Sequence, residues 1–181
     1  GYKQLDDVRA RLQPFLLRRT RAGVVEQLPE RTTTVLRIRP TQEQLELHAA
    51  HMNTVARITS KKFLTEIDLL MLQKALLMCR LAANGTILVD KQPPGYSTKL
   101  DRLTELLSEL AGQPDRKLIL FSEWRMMLDL IEPILNRVEL PFVRLDGQVP
   151  QKQRAAIVHR FQHEPECRAI LMTNAGSTGL N

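Results

Sequence analysis

Three short strings in the second half of the chain combine polar side chains with residues that form tight turns. They are Ser122-Glu123-Trp124, Asp146-Gly147-Gln148 and the glycine-rich stretch from Thr173 to Gly179. Glycine lets the backbone approach a ligand closely, and successive amides can then form a nest for an anion. The chemistry that these residue types favour is the binding of phosphate groups. For any one string taken alone, a plain strand-to-helix turn is the alternative.

Other kinds of reactive site find little support. The sequence contains no G-x-x-x-x-G-K-[ST] loop, no G-x-G-x-x-G turn and no H-E-x-x-H helix. His159 and His163 are four residues apart on a predicted helix, but no third metal ligand accompanies them, so we interpret them as surface histidines and predict no metal site. Trp124 could stack on a nucleic-acid base or pack beneath the next helix, and packing is favoured.

Alternating strands and helices must position the three strings. The predicted strands cover 117–122, 142–145 and 169–172. The predicted helices run from Ser97 or Thr98 to Gly112, over about 124–138, and from Pro150 to Phe161. The first strand is almost continuously apolar, which is typical of a strand buried on both faces of a parallel sheet. The alternation predicts an α/β fold. Because ligands bind at the carboxyl ends of parallel strands, the three strings should meet at one edge.

Two apolar helices precede this α/β part. Thr41 and Gln44 form a predicted capping box at the start of the first helix. The second runs from about Lys62 to Leu81. Its apolar residues predict one packing face that comprises Phe63, Ile67, Leu70, Met71, Leu77 and Met78. We expect an antiparallel helical pair, followed by a boundary in the glycine- and proline-rich stretch 84–97.

Residues 1–40 hold most of the net positive charge of the chain. The chain of 181 residues has a net charge of +6, and this segment carries nine basic residues against four acidic ones. Such a segment attracts phosphates, or is simply a solvated linker. It ends in the alternating string VLRIR, which predicts a strand over 35–39 with Val35, Leu36 and Ile38 contributing to burial.

The composition is that of a globular protein in a reducing compartment. Apolar residues make up 43% and charged residues 25% of the chain. No apolar run approaches 18 residues and the first residues resemble no signal sequence, so we predict neither a membrane partner nor secretion. Two cysteines cannot build a disulfide framework.

Four strings resemble, in order and spacing, the Swi/Snf-type ATPases of helicase superfamily two. They are Leu12–Thr20 with Gln27-Leu28-Pro29, Leu118–Trp124, Arg144–Gly147 and Leu171–Asn181. The first resembles the segment that leads into the second motor domain, and the others resemble motif IV, the R-L-D-G element and motif V. The last string departs from the usual T-D-A-G-G-E-G-L-N at Asn174, Ser177 and Thr178, which makes this loop less negative.

The resemblance implies a fold and a division of the chain. The fold class would be α/β, a partial RecA-like parallel sheet with flanking helices that follows a small helical subdomain. Residues 1–40 would be a basic linker and strand from the first motor domain, and 41–97 a helical insertion and loop. Residues 98–181 would be the second RecA-like domain, truncated after motif V and lacking the arginine-bearing motif VI.

The resemblance also implies an ATP-dependent translocase on double-stranded DNA. Such motors bind ATP and Mg²⁺ between two RecA-like domains, so the first RecA-like domain of the same parent chain is an expected partner. Gly179 and Asn181 would face the nucleotide. No catalytic residue is assigned within these 181 residues, and alone they should not hydrolyse ATP.

The DNA-binding residues implied by the resemblance lie in the three phosphate-binding strings. Thr173 and Gly176 would contact the sugar-phosphate backbone, while Ser122 and the turn Asp146-Gly147 would shape the groove. Two alternatives stay open: the second domain of a superfamily-two RNA helicase, and a non-catalytic interaction domain with a motor fold. The expected location is the cytoplasm of a bacterium, beside the nucleoid, or the nucleus of a eukaryote.

Overall fold

A computed structural model describes residues 5–15 and 31–174 of the chain. The chain forms two compact units, Gly1–Arg37 and Ile38–Asn181, which are described separately. Gly176, Gly179 and Asn181 lie outside the described residues, as does much of the string that resembles the lead-in to the second motor domain.

The first unit contains helix α1 (Leu5–Leu12), which carries two aspartates in its first turn and two arginines in its last. At each end of the helix these charges have the opposite sign to the helix dipole, which stabilises the helix. The predicted strand over 35–39 is wrong: residues 31–40 have no regular structure, and Val35 and Leu36 are 73% and 50% exposed. Ile38, the first residue of the second unit, is also exposed. Alternation alone does not make a strand, because its backbone groups also need a paired neighbour, and the described residues provide none here.

The second unit begins with two antiparallel helices, α2 (Gln42–Thr59) and α3 (Glu66–Ala82). The predicted capping box between Thr41 and Gln44 is confirmed, and the same arrangement at Thr65 and Asp68 starts α3. Nε2 of Gln44 also donates to the carbonyl of Ala82 at 2.7 Å. This bond joins the first turn of α2 to the end of α3, which confirms the antiparallel arrangement.

The predicted packing face of α3 is largely wrong. Phe63, Ile67 and Leu70 are 80%, 69% and 66% exposed, and Met71 is 43% exposed. The two remaining members of the predicted face, 77 and 78, do pack against the core. The residues that α3 buries are mostly small or polar: Asp68, Ala75, Cys79, Leu81 and Ala82. Small side chains allow close approach of neighbouring backbone, so the packing face follows residue size as well as hydrophobicity.

The stretch 84–97 is a loop that contains one short helix, α4 (Ile87–Asp90). Thr86 and Tyr96 close this loop. The backbone amide of Thr86 donates to the Tyr96 carbonyl at 3.0 Å, and the Tyr96 amide donates to the Thr86 hydroxyl at 2.9 Å. Helix α4 contacts α3, so this loop packs against the helical pair. The domain limits at 40/41 and 97/98 stay predictions from the sequence.

Within the described residues, six further elements of the second unit form the predicted α/β fold. In chain order they are α5 (Thr98–Ala111), β1 (Leu118–Phe121), α6 (Arg125–Arg137), β2 (Phe142–Leu145), α7 (Gln151–His163) and β3 (Ala169–Met172). The three strands form a parallel sheet in the order β1-β3-β2. The N-cap of α5 is Ser97, and Gly112 is its C-cap, as predicted. Pro150 is the N-cap of α7 and precedes its first turn.

The central strand β3 is buried along its whole length, and buried side chains lie on both faces of the sheet. The edge strand β1 differs from its prediction. It is buried on one face only, because Ile119 and Phe121 are 64% and 53% exposed. Its apolar run correctly predicts a parallel strand. Burial on the second face requires a covering element, which the described residues do not supply.

Two long basic side chains fasten the helices to the start of the strands. The Arg168 guanidinium donates to the carbonyls of Leu110 and Ala111 at 2.9 Å and of Gln113 at 2.6 Å. Nζ of Lys117 donates to three carbonyls at and beyond the end of α7: Phe161, Glu164 and Cys167. Both cations lie where the helix dipole is negative, so they satisfy carbonyls that have no partner within the helix.

Candidate nucleic-acid interface

The carboxyl ends of the three strands meet at one edge of the sheet, as the sequence predicts. The Ser122 amide donates to the carbonyl of Met172 at 3.0 Å, and the Thr173 amide donates to that of Leu145 at 3.3 Å. These two bonds join the last residues of all three strands. The structure thus brings together Ser122, the turn at Asp146-Gly147 and Thr173.

The Asp146 side chain is held inside the protein. Asp146 is only 3% exposed. One carboxylate oxygen accepts a 2.8 Å hydrogen bond from the Gln148 amide, and the other accepts one from Arg144 at 2.8 Å. A side chain that accepts from the backbone amide two residues ahead stabilises a tight turn. Asp146 therefore fixes the backbone of this loop, and the exposed Gly147 is the part of the turn that a ligand can reach.

Arg144 is the centre of an ion network that the sequence analysis did not single out. Its guanidinium contacts Asp129 and Glu132 of α6 at 2.7 Å and Asp146 at 2.8 Å. Burial opposes the charged form, but the hydrogen bonds that Arg144 donates to Glu132, Asp129 and Asp146 outweigh it and raise the pKa of Arg144 above its ordinary range. Its position in a predicted strand, between the apolar residues Val143 and Leu145, was the available signal. An arginine within a strand that packs under helices needs carboxylate partners.

The loop after β1 is ordered by its own side chains. The Ser122 hydroxyl accepts a hydrogen bond from the Trp124 amide at 3.1 Å. Trp124 packs against the larger core cluster, which confirms the favoured interpretation of this residue. The guanidinium of Arg80 lies 5.2 Å from the centre of the indole ring, within cation–π range. No acceptor for the Ser122 hydroxyl proton is present among residues 5–15 and 31–174, so this proton is available for donation to a ligand.

Thr173 ends the buried central strand. The residue is 5% exposed, and its backbone amide bonds to Leu145. Its side-chain hydroxyl makes no hydrogen bond with any of the residues that the structure describes. A purely structural role would have this hydroxyl bond a neighbouring backbone group of the turn, and no such bond is present within 31–174. Gly176, the other residue expected to contact the DNA backbone, lies outside these residues.

Metal and membrane sites can be assessed only over the described residues. Within 5–15 and 31–174, no three histidine, cysteine or carboxylate side chains are grouped so that they could hold a metal ion. The rings of His159 and His163 stack at 4.2 Å on the exposed side of α7. Among the helices of the same residues, none has the length and hydrophobicity needed to cross a membrane.

Comparison with protein families places this edge in a known domain. Residues 98–181 match the family described as the helicase conserved C-terminal domain. The yeast (Saccharomyces cerevisiae) DNA repair and recombination protein RAD26 is 30% identical over 200 aligned positions, which include all of this chain and 17% of the yeast protein. The chain is similar along nearly its whole length to proteins of the Swi/Snf family. A human relative is the SWI/SNF-related matrix-associated actin-dependent regulator of chromatin subfamily A member 1. It is 28% identical, and the match covers 99% of this chain and 18% of the human protein.

Solved structures of Swi/Snf proteins share the fold. The Sulfolobus solfataricus SWI2/SNF2 ATPase core in complex with double-stranded DNA superposes with a TM-score of 0.68. It is 24% identical in sequence, and the match covers 93% of this chain and 36% of that one. The C-terminal domain of the same ATPase matches 74% of this chain with a TM-score of 0.62. The sheet is therefore the RecA-like sheet that the sequence predicts. The chain spans less than a fifth of the yeast and human relatives.

Proposed function

We propose that this chain is part of an ATP-dependent translocase on double-stranded DNA, in which it supplies contacts to the DNA backbone and one wall of the ATP cleft. The observation that carries the proposal is the convergence of Ser122, Gly147 and Thr173 at one edge of a Swi/Snf-type sheet. This edge offers two hydroxyl groups and an exposed glycine turn, all of which suit phosphate oxygens. Contacts of this kind position a protein on DNA without specifying sequence.

The relatives support duplex DNA over RNA as the substrate. The yeast relative is named as a DNA repair protein, the human one as a chromatin regulator, and the Sulfolobus neighbour was solved with double-stranded DNA. The second domain of an RNA helicase is therefore the less favoured candidate. On this proposal the protein acts where chromosomal DNA is, which is the nucleus if the source is eukaryotic.

ATP hydrolysis belongs, on this proposal, to a complete motor with a first RecA-like domain. The 181 residues contain no phosphate-binding loop of the G-x-x-x-x-G-K-[ST] type. Their described part holds no cluster of metal ligands for Mg²⁺. Gly179 and Asn181, the residues proposed to face the nucleotide, lie outside that part. The described residues fix the position of Thr173, and in the sequence Gly179 and Asn181 follow six and eight residues after it.

Fluorescence anisotropy with labelled duplexes tests the DNA-binding proposal. The 181-residue chain is titrated into two 20-base-pair duplexes of unrelated sequence at several salt concentrations. Backbone binding predicts similar affinities for both duplexes and a log–log salt slope of about −0.9 for each phosphate neutralised. A preference for one sequence of more than about tenfold, or an affinity that does not change with salt, would contradict backbone binding.

A further inference from the structure

An open cleft lies between the helical pair and the carboxyl end of β1. We call it the α3–α5 cleft; its polar wall consists of Arg80, Asn84, Lys99, Ser122, Glu123 and Trp124. Arg80 comes from α3 and Lys99 from the first turn of α5, so two separate helices place cations beside the loop that follows β1. The resemblance to the Swi/Snf family assigns a role to Ser122 alone among these residues.

The two cations of the cleft are held differently. Arg80 forms a direct ion pair with Glu123, and both side chains remain about half exposed, at 60% and 49%. Nζ of Lys99 donates to the side-chain oxygen of Asn84 at 2.8 Å, and no carboxylate among the described residues pairs with it. One acidic group thus faces two basic ones, which leaves the cleft with a net positive charge.

The cleft also provides hydrogen-bond donors suited to an anion. The Ser122 hydroxyl accepts from the Trp124 amide and keeps its proton for a ligand. Lys99 has donors beyond the one it gives to Asn84, since an ammonium group carries three. The ring of Trp124 supports Arg80 by a cation–π contact, with the guanidinium 5.2 Å from the ring centre. A supported guanidinium, an ammonium and a hydroxyl around an open cleft match the oxygens of a phosphodiester.

We propose that the α3–α5 cleft is a second phosphate-binding site, which extends the DNA-binding edge of the sheet onto the helical pair. This inference rests on the proposed function. In the unbound chain Glu123 holds Arg80, and on binding a DNA phosphate replaces the Glu123 carboxylate as its partner. Glu123 is then a competitor of DNA, and its removal should strengthen binding, because Arg80 is released while Lys99 stays in place.

Anisotropy titrations of the 181-residue chain with a 20-base-pair duplex at 50 mM salt test this site. Arg80→Met and Lys99→Met should each weaken binding about 3- to 10-fold and reduce the salt slope by about 1. Arg80→Lys should keep most of the affinity. Glu123→Gln should tighten binding by up to about fivefold, the range set by an exposed ion pair. The gain should disappear in the double variant Arg80→Met/Glu123→Gln, since no guanidinium is then left to release.

Arg137→Met is the matched control. Arg137 is an exposed arginine in the last turn of α6, a helix that runs from the carboxyl end of β1 back toward the start of β2. Equal losses for Arg80→Met and Arg137→Met would overturn the proposed site and leave the DNA-binding edge standing. A full gain from Glu123→Gln in the Arg80→Met background would overturn the partner exchange. A wild-type chain that binds no duplex at any salt concentration would refute the proposed function as well.

Discussion

Replacing Arg168 with methionine should reduce the free energy of unfolding by about 2 kcal/mol. The guanidinium donates three hydrogen bonds to the carbonyls of residues 110, 111 and 113, at the end of α5. A hydrogen bond from a charged group contributes about 1.5–3 kcal/mol. Two of these bonds are partly buried and the third is exposed, so water can replace much of this energy in the variant, and we take about 1 kcal/mol for each bond. A second effect of the substitution is stabilising. Nε of Arg168 is buried without a hydrogen-bond partner among the described residues, and removing this atom stabilises the folded chain by about 1 kcal/mol.

Thermal unfolding of the 181-residue chain, followed by circular dichroism, measures this effect. A loss of about 2 kcal/mol should lower the midpoint by about 4–8 °C in a chain of this size. Arg168→Lys should fall between the wild type and Arg168→Met, because an ammonium group cannot reproduce the planar guanidinium fork. Arg116→Met is the control: this arginine is exposed, lies between α5 and β1, and its side chain makes no hydrogen bond within 31–174. If Arg168→Met matches Arg116→Met within about 0.5 kcal/mol, a margin typical of neutral surface substitutions, Arg168 does not fasten α5 to the sheet.

Three further predictions concern proton binding, the DNA contact and catalysis. Hydrogen bonds from Lys61 and Thr65 lower the pKa of Asp68 from 3.8 to about 2, so its stabilising contribution is present above about pH 4 and is lost as the pH falls through 2. Asp68→Asn should therefore lower the unfolding midpoint at pH 7, with the difference from wild type shrinking between pH 4 and 2; a difference that does not change with pH would contradict this. Thr173→Val should weaken duplex binding about 10- to 150-fold, the range for a hydrogen bond to a charged group, while Thr173→Ser keeps the affinity. Unchanged affinity in Thr173→Val, measured by anisotropy beside a thermal melt, would remove Thr173 from the DNA contacts. The 181-residue chain should release no phosphate from ATP with or without DNA, and DNA-stimulated release above a buffer blank would reveal a nucleotide site that its sequence does not show.

The parts of the fold that depend on local sequence were predictable. Capping residues such as Thr41 and Ser97 determine where helices start through hydrogen bonds within a few residues. The three apolar runs, separated by helical segments, required a parallel sheet, since strands joined through helices pair side by side. From the parallel sheet followed the convergence of Ser122, Gly147 and Thr173, because the carboxyl ends of such strands share an edge.

Features that depend on distant residues were not predictable from one sequence. The exposed face of α3, which includes Ile67 and Leu70, has the same apolar spacing as a buried face, and only the position of its neighbours decides between them. The strand predicted over 35–39 has the right alternation and lacks a paired neighbour. The ion pair between Arg80 and Glu123 joins residues 43 positions apart in the sequence. No pattern within a short window could have revealed it.

Mapping the DNA-binding surface by NMR shows whether DNA binds at the carboxyl edge of the sheet. Amide resonances of the ¹⁵N-labelled 181-residue chain are followed while a 12-base-pair duplex is added at low salt. We expect the largest shifts at the carboxyl edge of the sheet, at Ser122, Gly147 and Thr173, and small shifts at Lys117 and Arg168 on the opposite edge. Shifts confined to the basic segment 1–40, or concentrated at the opposite edge, would contradict the claim that the carboxyl edge of this sheet binds DNA.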